Sequence, residues 1–253
     1  MITLLAAEAA RHGTGPVLVA PAALAGQLSI GWSNDFFDAG RDTAVGRTDK
    51  PVAAGQVSRR AVGVAGLAAL AVSLVLSLAI GEVTGIINAV MMAAGWAYNA
   101  GLKSTWASGV MYVIGFGLIP AFAVSTLPGH PAPRPLITAA AAALGLGAHF
   151  ANVLPDLAGD EQTGVHGLPQ RLGARSGPAA VRLAALVFLL LASVLLVLAA
   201  SGAHRWVALG GLAVAAALAA VGARSTGRLP FLAAIGIAAI DVALLAVGGI
   251  ALT

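Results

Sequence analysis

The stretch NDFFDAGRD, Asn34 to Asp42, sets three carboxylates and a carboxamide within nine residues of a chain in which only 9% of positions are charged. On a helix Asn34, Asp38 and Asp42, four residues apart, share one face, and Asp35 sits beside Asp38 on the neighbouring ridge. A second set repeats the spacing in NVLPDLAGDEQTG: Asn152, Asp156 and Asp160, with Glu161 alongside. If the two helix ends face each other, the carboxylates of Asp35, Asp38, Asp42, Asp156 and Asp160 converge. Crowded carboxylates raise one another's pKa until some protonate. A hard divalent cation relieves that repulsion, and Mg2+ takes carboxylate oxygens while sharing its shell with phosphate. Arg47, Lys50, Lys103 and Arg171 would suit the charge of a polyphosphate that the metal alone does not neutralise. A solvated loop marking the membrane surface would explain one such patch; two at the same spacing favour a metal site.

The elements that must position these residues are apolar. Of 253 residues, 59% are hydrophobic, against about 45–50% for an ordinary soluble domain. A spanning helix needs about 20 mostly apolar residues. Eight stretches fit: Gly15–Ser33, Ala61–Gly81, Val83–Ala100, Trp106–Leu127, Pro135–Leu154, Pro178–Ser201, Arg205–Val221 and Leu229–Leu252. Met1–Arg11 reads as the last turns of a ninth helix, truncated or continued upstream, and its first ten residues lack the basic start of a signal peptide. Of fourteen Lys and Arg, eleven fall in one alternate set of loops and only Arg11, Arg134 and Arg205 in the other, which places the charged patches on the cytoplasmic side. The absence of cysteine excludes disulfides and thiolate metal sites. The net charge of +4 is not gathered into an aromatic-laced patch, so composition gives no nucleic-acid surface. No linker divides the chain, which reads as one domain over residues 1–253, its Ala and Gly allowing close helix packing in the lipid bilayer.

Both patches resemble the motifs of the UbiA superfamily of intramembrane prenyltransferases. NDFFDAGRD matches its NDxxDxxxD motif, and DLAGD (Asp156–Asp160) its second, DxxxD motif. RTDKP resembles the basic stretch after the first motif, and GVHGLPQRLG (Gly164–Gly173) the segment after the second. The resemblance implies an all-α integral membrane protein, a bundle of eight to nine transmembrane helices around a central chamber. It implies a Mg2+-dependent enzyme that moves a prenyl group from an isoprenyl diphosphate to an acceptor, aromatic as a first expectation, releasing pyrophosphate. Asp35, Asp38, Asp42, Asp156 and Asp160 would hold the metal and act in catalysis, with Asn34, Arg47, Lys50, Asn152 and Arg171 meeting the substrate. Tyr98 and Lys103 would correspond to a Tyr–Lys pair of the family, although they stand five residues apart here and four apart there. A cyclase using the same metal motifs on a single substrate is the alternative. An ion or phosphate carrier is the rival from another class, disfavoured because the acidic residues form no path through the spans.

Four further residues carry open readings. His149, in a span of small residues, is an interhelical hydrogen-bond partner or an acceptor contact. Asp241, in the last span, is a protonated, hydrogen-bonded carboxyl or a functional group. Trp32 and Trp96 stack on a prenyl cation or anchor at the interface.

Overall fold

The computed structural model describes residues 15–127, 129–162 and 164–247, and the regular structure among them is helical. The expected remnant of a ninth helix, Met1–Arg11, lies outside the described residues. In chain order the helices are α1 (Gly15–Ala44), α2 (Arg59–Ile80), α3 (Glu82–Ala100), α4 (Ser108–Gly117), α5 (Ile119–Val124), α6 (Pro135–Val153), α7 (Leu157–Gln162), α8 (Leu168–Ser176), α9 (Pro178–Ala199), α10 (Gly202–Arg224) and α11 (Leu229–Val247). By length and composition α2, α6, α9 and α10 can each cross a bilayer, and Ser108–Val124 and the last helix are shorter apolar segments.

Two outlines differ from the sequence reading. The first apolar span runs on past Ser33 to Ala44, so α1 carries the whole first patch. The stretch Trp106–Leu127 is instead broken at Leu118 into α4 and α5. Pro120 has no N–H for the carbonyl four residues before it, which is the local cause of the break.

The helices fall into two compact units. The first holds α1, α2 and α3 with residues 125–130. Lipid gives little hydrophobic drive between helices, so small residues and hydrogen bonds join them. Ser29 Oγ donates to Gly66 O of α2 at 2.9 Å, and Ser73 Oγ donates back to Ala22 O of α1 at 2.8 Å. Asn88 ties α3 to α2 by donating to Ser73 Oγ and Ser77 Oγ, both at 2.9 Å. Ser58 caps α2, its side chain accepting from the Ala61 N–H.

The second unit comprises the described residues of 103–124 and 131–247. Its core is built where α6, α9, α10 and α11 meet, around Leu144, Phe150, Leu186, Leu189 and Ile237. Gly147 lets α9 approach: a Cβ there would stand 3.0 Å from the Leu189 backbone nitrogen. Gly145 does the same for α4, where a Cβ would stand 2.8 Å from Tyr112 O. Asp241 of α11 is fully buried and meets Ser193 of α9, Oδ1 to Oγ, at 2.6 Å. That contact joins neighbouring helices in an apolar interior and lies apart from both acidic patches in sequence.

Candidate functional site

The first patch is positioned by the length of one helix. Thirty residues at about 1.5 Å each make α1 about 45 Å long, against about 30 Å of hydrocarbon. With Gly15–Ser33 as its apolar part, the turns from Asn34 to Ala44 stand beyond the span. The helical spacing inferred from sequence is realised: Asn34 Nδ2 donates to Asp38 Oδ2 at 2.9 Å, one turn away. Arg41 donates to the same oxygen at 3.0 Å. Asp38 and Asp42 are each only 6% exposed, although they lie near the helix end.

The following loop folds back on this face. The Arg47 N–H donates to Asp42 O at 2.9 Å, and the Lys50 ammonium reaches Asp35 Oδ1 at 2.6 Å. Arg59, opening α2, donates to Phe36 O and lies over the Phe36 ring, 4.6 Å from its centroid. Arg47 and Asp49 are joined by two bonds of 2.9 Å, which hold the exposed Asp49 carboxyl down at about 2. Burial, and then the charge of Asp38, push the Asp42 carboxyl up; Lys50, Arg41 and Arg47 oppose the shift. Trp96 donates its N–H to Ser29 Oγ at 2.9 Å and meets Phe37 edge-on. Tyr98 is half-buried in the last turn of α3.

The second patch does not lie on one helix. Pro155 interrupts the run, so α6 ends at Val153, Asp156 sits in a turn, and Asp160 lies in α7. Asp156 O accepts the Asp160 N–H at 2.8 Å, which preserves a single helical turn between them. Asn152 remains on α6, exposed, with Nδ2 3.4 Å from the Tyr112 hydroxyl. Asp160 is held from the far side by Gln170 of α8, whose Nε2 donates to its Oδ2 at 2.7 Å. Gln170 is itself buried, and nothing in its sequence context singled it out.

Ser108, at the start of α4, anchors this region. Its Oγ accepts the Leu168 N–H of α8 at 2.9 Å and lies 3.0 Å from His149 Nε2 of α6. His149 is buried and stacks on Tyr112, with ring centroids 4.6 Å apart. Of its two readings, this geometry is that of an interhelical partner. Arg171 donates to His166 O at 2.7 Å, closing the loop before α8, and Lys103 lies in a 3-10 turn, Leu102–Ser104.

Within each unit the structure brings predicted residues together: Asn34, Asp35, Asp38 and Asp42 with Lys50, and Asp160 with α8, the helix that carries Arg171. Among the described residues, no three acidic or histidine side chains stand close enough to hold a metal ion as they are. Asp35 and Asp38 are instead paired with Lys50 and Arg41. The donor chemistry nevertheless fits Mg2+: carboxylate and carboxamide oxygens at one-turn spacing, with a carboxyl at Asp42 that a divalent charge would relieve.

The model of the UbiA prenyltransferase family matches residues 1–249. Among curated protein sequences nothing matches the chain. Among solved structures, the chain is similar to the apo form of a UbiA homologue from Aeropyrum pernix K1, with TM-score 0.74 and 17% identity over 96% of this chain and 94% of that one. It is also similar to a UbiA homologue from Archaeoglobus fulgidus bound to GPP and Mg2+, with TM-score 0.62 and 17% identity over 90% and 88% of the two chains. A third, described as a digeranylgeranylglyceryl phosphate synthase in membranes, aligns with TM-score 0.56 and 18% identity over 92% of this chain and 82% of that one.

Proposed function

Because the chain belongs to the UbiA prenyltransferase family, we propose that it transfers a prenyl group from an isoprenyl diphosphate to a lipophilic acceptor, aromatic in the first instance, and releases pyrophosphate. The observation that supports this most is the one-turn ladder of Asn34, Asp38 and Asp42 beyond the apolar part of α1, with Asp35 and Lys50 beside it. A homologue of the same fold is bound to GPP and Mg2+. We assign Asp35, Asp38, Asp42, Asp156 and Asp160 to the metal, and Asn34, Arg47, Lys50, Tyr98, Lys103, Asn152 and Arg171 to the substrate. Residues 1–253 act as one such domain in a cell membrane, with the charged ends facing the cytoplasm.

Bound Mg2+ would supply Lewis-acid stabilisation of the departing pyrophosphate. The chain's own residues do the rest. Ionising an allylic diphosphate separates charge, so cations aimed at the leaving group lower the barrier. Lys50 and Arg41 are already held at the carboxylates and gain a second anion when the diphosphate arrives. The apolar helices keep water from the allylic cation, which water would quench. The rings of Tyr112, Phe116, His149, Phe150 and Phe188 form a continuous aromatic run that packs α4, α6 and α9 together.

Pyrophosphate release by the detergent-purified protein tests this reading, with Mg2+ and prenyl diphosphates of several lengths, with and without phenolic and quinoid acceptors. Release that requires an acceptor is the expected result. Release without one, with a cyclic product, overturns transfer in favour of a cyclase; no release with any donor overturns the prenyl reading. A narrower expectation concerns Lys103→Ala. It raises the apparent donor KM about tenfold with a smaller change in kcat, as loss of one charged phosphate contact does. A donor titration checks it, and an unchanged KM removes Lys103 from the donor site.

A further inference from the structure

We propose that Asn99, in the last turn of α3, is a positioning residue for the donor site: it orients the Asn34 amide so that the carbonyl oxygen, not the NH2, is left to meet the metal and diphosphate. The proposal rests on the prenyl-donor reading and extends it to a residue that neither motif contains.

The orientation follows from what each atom can do. Asn99 is 4% exposed, and its Nδ2 lies 2.9 Å from Ile30 O of α1. A backbone carbonyl only accepts, so the NH2 end of Asn99 must face it. Ser33 donates its hydroxyl to the same carbonyl at 2.8 Å, which leaves Ser33 Oγ to accept the other Asn99 N–H at 2.7 Å. Both donors of Asn99 are then used, and its Oδ1 is turned toward Asn34, whose Nδ2 lies 3.4 Å away. The remaining Asn34 N–H goes to Asp38 Oδ2 at 2.9 Å.

The chain of bonds thus starts at a helix carbonyl and ends on a carboxylate assigned to the metal. Each step pairs one donor with one acceptor, and reversing either amide would set N–H against N–H or carbonyl against carbonyl. A buried network satisfied in this way selects one arrangement. Without Asn99, the Asn34 amide loses the partner that holds its second N–H, and it can turn to offer NH2 instead.

Two measurements test this. The first is a double-mutant cycle on pyrophosphate release. Asn99→Ala should lower kcat/KM for the donor about tenfold. In an Asn34→Ala background the same change should add nothing, because Asn99 acts through Asn34. Losses that multiply show a structural role and overturn the proposal. The second needs no turnover. The chain has four asparagines, Asn34, Asn88, Asn99 and Asn152, so the metal-free protein labelled with 15N-asparagine gives at most four side-chain NH2 pairs. The Asn34 pair, assigned by its loss in Asn34→Ala, should shift and exchange faster with solvent in Asn99→Ala. An unchanged pair overturns the proposal. If the wild type releases no pyrophosphate, the donor reading fails by itself, and the NMR comparison still decides whether Asn99 holds Asn34. Should Asn99→Ala not fold, Ser33→Ala removes the acceptor from the other side of Asn99. It should likewise shift the Asn34 pair, and its smaller loss of kcat/KM must vanish in the Asn34→Ala background.

Discussion

Asp38→Ala lowers pyrophosphate release by about 10^3-fold or more, and the variant is extracted from membranes as a folded, monodisperse protein. The activity loss is large because one Asp38 oxygen gathers Asn34 and Arg41. Removing it takes away a metal ligand and leaves Arg41 to compete for the ligands that remain. The fold survives because α1 is fastened to α2 elsewhere, through Ser29, Gly66, Ser73 and Ala22. Asp156→Ala is expected to behave alike, since Asp156 stands in an exposed turn outside the helix core. Turnover and size-exclusion profiles measured together check both variants. Near-normal turnover in either would remove that residue from the metal site.

Gly167→Ala is the second large effect: a turnover loss of about 100-fold with Tm lower by about 5 °C. The backbone at Gly167 has φ −66° and ψ 178°, which alanine adopts without strain. The cost is one of contact. An added Cβ would overlap the Lys103 carbonyl oxygen and stand 2.7 Å from Gln170 Oε1 and 3.1 Å from Ser108 Oγ. The Lys103 oxygen is backbone and cannot swing aside. Gln170 holds Asp160, and Ser108 holds both the Leu168 N–H and His149. One methyl group therefore disturbs the supports of Asp160, Lys103 and α8 together. Gly159→Ala is the control: nothing lies within 4 Å of a Cβ there, and wild-type turnover and Tm are expected. Equal behaviour of the two variants would show that the Gly167 contact is unimportant.

These two sites also mark how far sequence reasoning reached. Asp38 was legible because its chemistry and spacing are local: a carboxylate one turn from Asn34 and another from Asp42, on a helix set by composition. The span boundaries were legible for the same reason in α2, α3 and α9. The second patch reads as the same helical ladder in sequence, yet Pro155 places Asn152 on a different helix from Asp160. Asn99, Ser108, Gln170 and Gly167 were not legible at all. Each acts through a partner distant in sequence, Asn99 through Ile30 and Ser33, Ser108 through His149 and Leu168. Only the folded chain reveals such pairings, because helix packing in a bilayer selects small and polar residues without fixing which of them meet.

The proline between Asn152 and Asp156 has a mechanical consequence. In α1 the spacing of Asn34, Asp38 and Asp42 is that of an unbroken helix, so none shifts along the axis without the others: the first patch is a ruler. Across Pro155 the spacing is set by a turn and by the grip of Gln170 on Asp160. The second patch is a hinge with a latch. Loss of Gln170 would therefore loosen the second patch and leave the first as it is.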